Sequence, residues 1–191
     1  DEFFTENPKR YTIGEVELGV NYVLIISTNA GLWAYNIGDT IQFTSLKPYR
    51  VIVSGRIKHY ISAFGEHVIG KEVESALKEA MEGTDVRVNE FTVAPQITPT
   101  EGLPYHEWFI EFENQPENLE KFALKIDTAM RKQNVYYDDL IVGNVLRTLV
   151  ITSVPKNGFQ DYMKSIGKLG GQNKLPRLSN DRKIAQFFEN K

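Results

Sequence analysis

The sequence predicts an α+β fold in two parts: a β-rich segment over residues 1–55, then a split-βαβ (ferredoxin-like) domain over 56–191. Three observations carry this expectation. Residues 1–55 hold several strand-like apolar runs and no long helix. From residue 69 onward, two stretches repeat apolar residues at helical spacing. Around those stretches lie strand-like runs in the order strand–helix–strand–strand–helix–strand, which suits a helix layer on a mainly antiparallel sheet.

In the first part, residues 22–28 form a continuous apolar run that reads as a buried strand. Residues 32–37 and 40–44 read as a hairpin around a Gly38–Asp39 turn, and 50–54 (RVIVS) as a further strand. With an abrupt start at Asp1, this part is expected to be the end of a larger domain lying upstream.

In the second part, 57–62 reads as a short strand, followed by a helix over 69–82. Ile69, Val73, Ala76, Leu77 and Ala80 share one face of that helix, and Gly83 suits its C-terminal cap. The strand over 87–94 slips its apolar phase between Val88 and Phe91, as a bulge would. Pro95, Pro99, Gly102 and Pro104 mark a long connection. Trp108, Ile110 and Phe112 alternate with Glu107, Glu111 and Glu113, which predicts one buried face and one wet face. A second helix is expected over 117–133, with Leu119, Phe122, Ala123, Ile126, Ala129 and Met130 inward. A strand over 146–154 and a short helix over 159–166 complete the order.

The 191 residues are 41% apolar and 25% charged, the composition of a soluble globular protein. The apolar run 22–27 is far too short to span a bilayer, and there is no N-terminal signal pattern, so no membrane partner is expected. The absence of cysteine excludes disulfides and thiolate chemistry and fits a cytoplasmic location. A net charge of −3 argues against nucleic acid as a partner. Residues 164–191 carry seven Lys or Arg against two acids, leaving 15 basic and 23 acidic residues elsewhere. Such a basic end is either a solvated tail or an arm for an anionic ligand.

Three stretches have the residue types that a nucleotide site needs. In 31–39 (GLWAYNIGD), a carboxylate at Asp39 could accept both vicinal ribose hydroxyls; Gly-Asp is also ordinary turn chemistry. In 54–74, Arg56 and Lys58 stand two apart at the proposed domain junction, placed either to hold an anion across a hinge or to guard a strand edge. In 170–182 (GGQNKLPRLSNDR), Lys174 lies between a flexible Gly-Gly pair and the rigid Pro176, a way to mount a cation that offsets charge in a transition state. His59, His67 and His106 show no metal-ligand spacing, so no metal site is expected within this chain.

The order and spacing of these stretches resemble the acyl-adenylate-forming superfamily, which includes acyl-CoA synthetases, peptide-synthetase adenylation domains and luciferase. Within it, the chain most resembles the auxin-responsive acyl-acid amido synthetase family, known from plants and with bacterial members. The family's A-G-L-x-x-Y-x-x-G-D signature is matched by Ala30, Gly31, Leu32, Tyr35, Gly38 and Asp39, and its K-x-P-R element by Lys174, Pro176 and Arg177. The resemblance implies that Asp39 binds ribose and that Arg56 makes a second nucleotide contact. It implies that Lys58 is the hinge and that Lys174 serves adenylation. Phe64, Gly65 and Glu66 would belong to a loop facing the active site after the small domain swings. Asn36 departs from the family pattern, which usually has arginine there.

By that resemblance the parent enzyme uses ATP and Mg2+ to convert a carboxylic acid to acyl-AMP, then passes the acyl group to an amine, expected to be an amino acid. The phosphate loop and acyl pocket belong upstream, so this chain alone is expected to be inactive. Two other readings stay open: an acyl-CoA ligase of the same superfamily, and a non-catalytic module that binds a small ligand.

Overall fold

In a computed structural model, which describes residues 7–56, 60–170 and 173–189, the chain divides into two units, Asp1–Lys58 and His59–Lys191.

The β-branched and aromatic runs of the first unit form a three-stranded antiparallel sheet of β1 (Asn21–Ile26), β2 (Tyr35–Leu46) and β3 (Tyr49–Arg56), in that order. Its small core centres on Ile41 and Phe43 of β2. The Phe43 ring meets Tyr22 and Tyr49 edge-on, each at 6.1 Å between centroids.

The expected hairpin at Gly38–Asp39 is not formed. Those residues lie inside β2, and the chain reverses at 47–48 instead. The cause is local. Asn36 Oδ1 accepts a hydrogen bond from the Gly38 N–H at 2.8 Å, and Gly38 takes φ +84°. This Asx-type turn throws extra residues into β2 without reversing it: Thr40 stands opposite Val23, while Asn36 already stands opposite Ile25. The reversal falls where Pro48, which has no N–H to give a ladder, follows Lys47.

The second unit is built on a sheet of β6 (Arg87–Gln96), β7 (Tyr105–Asn114) and β8 (Val150–Val154), with β6 antiparallel and β8 parallel to β7. Before it come β4 (Tyr60–Ile61) and β5 (Val68–Ile69), which pair with each other and not with the sheet. The helices are α1 (Gly70–Met81), α2 (Leu119–Gln133), α3 (Val135–Val142), α4 (Gly158–Ser165) and α5 (Lys183–Glu189). The α+β class holds. Val73, Ala76, Leu77 and Ala80 of α1 and Phe122, Ala123, Ile126, Ala129 and Met130 of α2 are buried, as the periodicity predicts. They join Phe91, Val93, Trp108 and Ile110 of the sheet in one core. The bulge in β6 is present, with Val88 opposite Phe112 and Glu90 opposite Glu111.

A further expectation is corrected. The face of β7 carrying Glu107 and Glu111 is not wet: both are under 10% exposed. Helices α4 and α5 cover that side, where Phe109, Val154, Phe159, Ile184 and Ala185 form a second core. The buried carboxylates are satisfied there. Glu107 accepts from Arg182 at 2.7 Å and Thr152 at 2.6 Å, and Glu111 from the Asn157 N–H at 3.0 Å. Of the two readings left open for the basic end, the solvated tail does not fit its described residues as a whole. Residues 176–179 bond to the outer edge of β6, and α5 then packs into the second core.

Candidate functional site

Asp39 and Arg56 are brought together by strand register, since they face each other across β2 and β3. Asp39 is partly buried. It follows directly on the bulge that the Asn36–Gly38 hydrogen bond fixes, so the residue departing from the family pattern has a structural part in shaping this carboxylate's surroundings. A side chain's Cβ built at Gly38 would meet nothing within 4 Å, so its glycine is needed for the +84° φ and not for space. Lys58 and His59 lie outside the described residues, as does the side chain of Arg56.

Phe64, Gly65 and Glu66 form the turn between β4 and β5. Gly65 is exposed at φ +93°, and His67 follows at φ +47°. Between these two, Glu66 turns inward and is fully buried. Its Oε2 accepts from the Phe64 N–H at 2.8 Å, and its Oε1 lies 2.9 Å from Nε2 of His106, itself 1% exposed on β7. Burial works to raise the Glu66 pKa, but the hydrogen bond and charge of His106, with the turn's N–H groups, outweigh it and leave the carboxyl below the ordinary glutamate value. Asn134, at the α2–α3 junction, donates to the Glu66 carbonyl at 2.9 Å and to Glu72 at 3.2 Å, while its Oδ1 caps α3 through the Tyr137 N–H at 2.9 Å. Glu72 also accepts from the Ile69 N–H at 3.0 Å, yet burial wins and raises its pKa. The Tyr137 ring lies 5.2 Å from that of His106, and its hydroxyl donates to the buried Asp127 at 2.7 Å. Burial, then the neighbouring Asp127 charge, push the Tyr137 pKa well up, so it stays a donor.

Lys174 is exposed. Two residues later the chain is tied down. Thr92 Oγ1 donates to the Pro176 carbonyl at 2.8 Å, the Val93 N–H to Arg177 O at 2.9 Å, and the Ser179 N–H to Val93 O at 2.9 Å. Arg177 bonds to Glu74 of α1 at 3.2 Å and closely to Glu90 of β6, and its guanidinium lies 4.6 Å from the Phe91 ring centroid. Pro176 and Arg177 of the K-x-P-R element therefore anchor a strap whose exposed end carries the lysine.

Sequence reasoning assigned a role to Glu66 alone among these polar residues and missed the buried His106, Asn134 and Asp127 and the half-buried Glu72. Asn134 carried a readable signal, a cap residue between two helical runs. Asp127 sits on the inner stripe of α2, where a carboxylate announces a buried partner.

A family model described as the GH3 family central domain matches residues 1–56, and one described as the GH3 family C-terminal domain matches 71–183. An indole-3-acetic acid-amido synthetase, GH3.3, of Arabidopsis thaliana is 26% identical over 204 residues, covering 98% of this chain and 33% of its own length. A second such synthetase of that plant, GH3.10, is 26% identical over 188 residues, covering 94% of this chain and 31% of its own. Among solved structures, the GH3.15 acyl acid amido synthetase superposes with a TM-score of 0.72 at 18% identity, covering 94% of this chain and 35% of that one. A 2-hydroxyisobutyryl-CoA ligase in its postadenylation state superposes at 0.54 and 15% identity, covering 92% and 35%. The chain spans about a third of the length of the curated relatives it matches. With the C-terminal domain model covering more than half of it and the central domain model most of the remainder, the chain belongs to the GH3 family.

Proposed function

We propose that the protein containing this chain is an ATP-dependent acyl-acid amido synthetase. The observation that carries this reading is that the central and C-terminal GH3 domain models match in succession along one chain, with Asp39 in the first and Lys174 following Gly170 in the second.

The residues present suit a nucleotide. A carboxylate at a fixed strand bulge, with an arginine at the facing register position, has the chemistry to take up ribose hydroxyls and an adjoining phosphate. ATP supplies the leaving group: a substrate carboxylate oxygen attacks the α-phosphorus, the bond to pyrophosphate breaks, and acyl-AMP forms. Asp39 holds the ribose and Arg56 makes the second contact. The Lys174 ammonium offsets charge that builds at the α-phosphate as pyrophosphate leaves. Lys58 serves as the hinge. Once the C-terminal domain has turned, the turn of Phe64, Gly65 and Glu66 faces the acyl-adenylate with its exposed Gly65 tip, the Glu66 side chain staying buried beneath it. The amine nitrogen then attacks the acyl carbon, the carbon–oxygen bond to AMP breaks, and the amine gives up a proton as the amide forms. Mg2+ is assigned to the full-length enzyme. Among the described residues no group of three or more His, Asp or Glu side chains is arranged to hold a metal ion, so it is given no ligand here. We assign the enzyme to the cytoplasm, with a carboxylic acid and an amino acid as substrates. Among the described residues no helix is long and apolar enough to cross a membrane.

The test is acid-dependent exchange of pyrophosphate into ATP by the full-length protein, followed by presentation of amino acids or coenzyme A. An amide product is expected. A thioester would move the protein to the acyl-CoA ligases. If no acid supports exchange, a non-catalytic binding module becomes the better reading.

A further inference from the structure

We propose that Glu66, His106 and Asn134 are positioning residues for acyl transfer, holding the Phe64–Gly65 turn in the one backbone shape that suits attack by the amine. The inference deepens the amido synthetase reading and rests on it.

The turn itself has little to hold it in place. Its tip, Gly65, is exposed, and β4 and β5 on either side are two residues each. Two positive-φ residues, Gly65 and His67, flank Glu66; a non-glycine residue there is uncommon and persists where its surroundings fix it. Those surroundings are polar and converge from three elements. His106 reaches the Glu66 carboxylate from β7, Asn134 reaches the Glu66 carbonyl from the α2–α3 junction, and Ser62 Oγ meets His67 Nε2 at 3.2 Å from just after β4. Both oxygens of the Glu66 carboxylate are engaged, one by His106 and one across the turn by the Phe64 N–H.

A buried carboxylate, imidazole and amide are a poor way to gain stability alone, because desolvation cancels most of what their attraction gives. What such a network does well is select a single geometry, since any other backbone path leaves a buried group unsatisfied. The geometry selected is that of an exposed glycine turn, and transfer to an amine is the step in which the resemblance brings this turn to the acyl group. Lys174, exposed on its strap, is none of the groups in these hydrogen bonds.

The experiment uses the full-length enzyme and reads the two half-reactions apart: acid-dependent pyrophosphate exchange for adenylation, and single-turnover conversion of preformed acyl-adenylate to amide for transfer. His106→Leu is expected to slow transfer by ~10-fold or more, since small misplacements near a reacting centre are costly, while exchange stays within about twofold of the parent. His106→Gln, which can return an N–H to Glu66, should restore most of the transfer rate. If His106→Leu does not fold, Asn134→Ser takes its place: it keeps a capping oxygen for α3, loses the amide donor to Glu66, and should show the same split. An equal fall in both half-reactions, or no fall in either, in a folded variant overturns the proposal and leaves the amido synthetase reading standing. Failure of the parent enzyme to support exchange with any acid overturns that reading, and this inference with it.

Discussion

At the scale of single residues, the chain sets a buried glutamate, Glu66, and a half-buried one, Glu72, on opposite sides of their ordinary pKa. Glu72 is raised by burial, so its native form binds a proton more readily than the unfolded chain does. The stability it contributes is therefore full below the ordinary glutamate value and is lost as pH rises through the raised one. Glu72→Gln keeps an oxygen for the Ile69 N–H without a charge to bury. Its Tm should match the parent in acid and exceed it increasingly as pH rises, whereas Glu72→Ala, lacking that oxygen, should cost about 1 kcal/mol. A Tm difference that does not change with pH would contradict this. Glu66 runs the other way. Its lowered pKa gives stability that is full above the ordinary value and disappears as pH falls through the lowered one. Glu66→Gln should cost about 1.5–3 kcal/mol at neutral pH, the scale of a hydrogen bond to a charged group, with the loss shrinking in acid. A penalty that grows in acid would refute the pairing with His106.

Residue-scale chemistry was only partly legible in the sequence. Gly38 reads equally as a turn or a bulge until it is known that Asn36 bonds back to it. The pairing of Glu66 with His106 joins residues 40 apart in sequence, and neither periodicity nor local spacing reports such a contact.

At the scale of elements, periodicity found α1 and α2 because each buries a regular stripe against the sheet. It missed α3, whose Val135, Tyr136 and Val142 are exposed and whose only buried residue is Tyr137. That helix has its Asn134 cap and only a short apolar stripe, Tyr137 with the partly buried Leu140 and Ile141. Helix α5 was hidden for another reason. Ile184, Ala185, Phe187 and Phe188 have helical spacing, but the surrounding lysines and arginines read equally as a solvated tail or an arm for an anionic ligand. Its burial overturned the expectation of a wet face on β7, because a strand pattern shows which side is apolar and not which later helix returns to cover the other.

The strap over 176–179 follows from the same logic and can be measured. Leu178 is 2% exposed in the main core, so Leu178→Ala should cost about 2–5 kcal/mol. The Val93 and Ser179 amides, which bond across strap and β6, should resist hydrogen exchange far longer than those of the exposed 167–170 segment. Equal exchange at both places would show that the strap does not dock.

At the scale of the whole molecule, two GH3 domain matches lie on two compact units, and the chemistry proposed above is divided between them. Asp39 and Arg56 belong to a small sheet whose fixed bulge shapes the carboxylate's setting. Lys174 belongs to the larger unit, exposed at the end of a strap that Arg177 and Leu178 anchor. A lysine mounted in this way can be carried into and out of a nucleotide site by motion of the unit as a body, without loosening the segment that bears it. The curated relatives extend well beyond the part that this chain matches, and the proposed catalysis belongs to the full-length protein.

The central claim is that Lys174 acts on the adenylation step. Its most direct test is the rate of acid-dependent pyrophosphate exchange by full-length Lys174→Ala, compared with the parent at saturating ATP and acid. The account predicts a fall of ~100-fold or more, the scale of losing one charge-stabilising donor from a transition state. A folded variant that exchanges pyrophosphate within about twofold of the parent would contradict it.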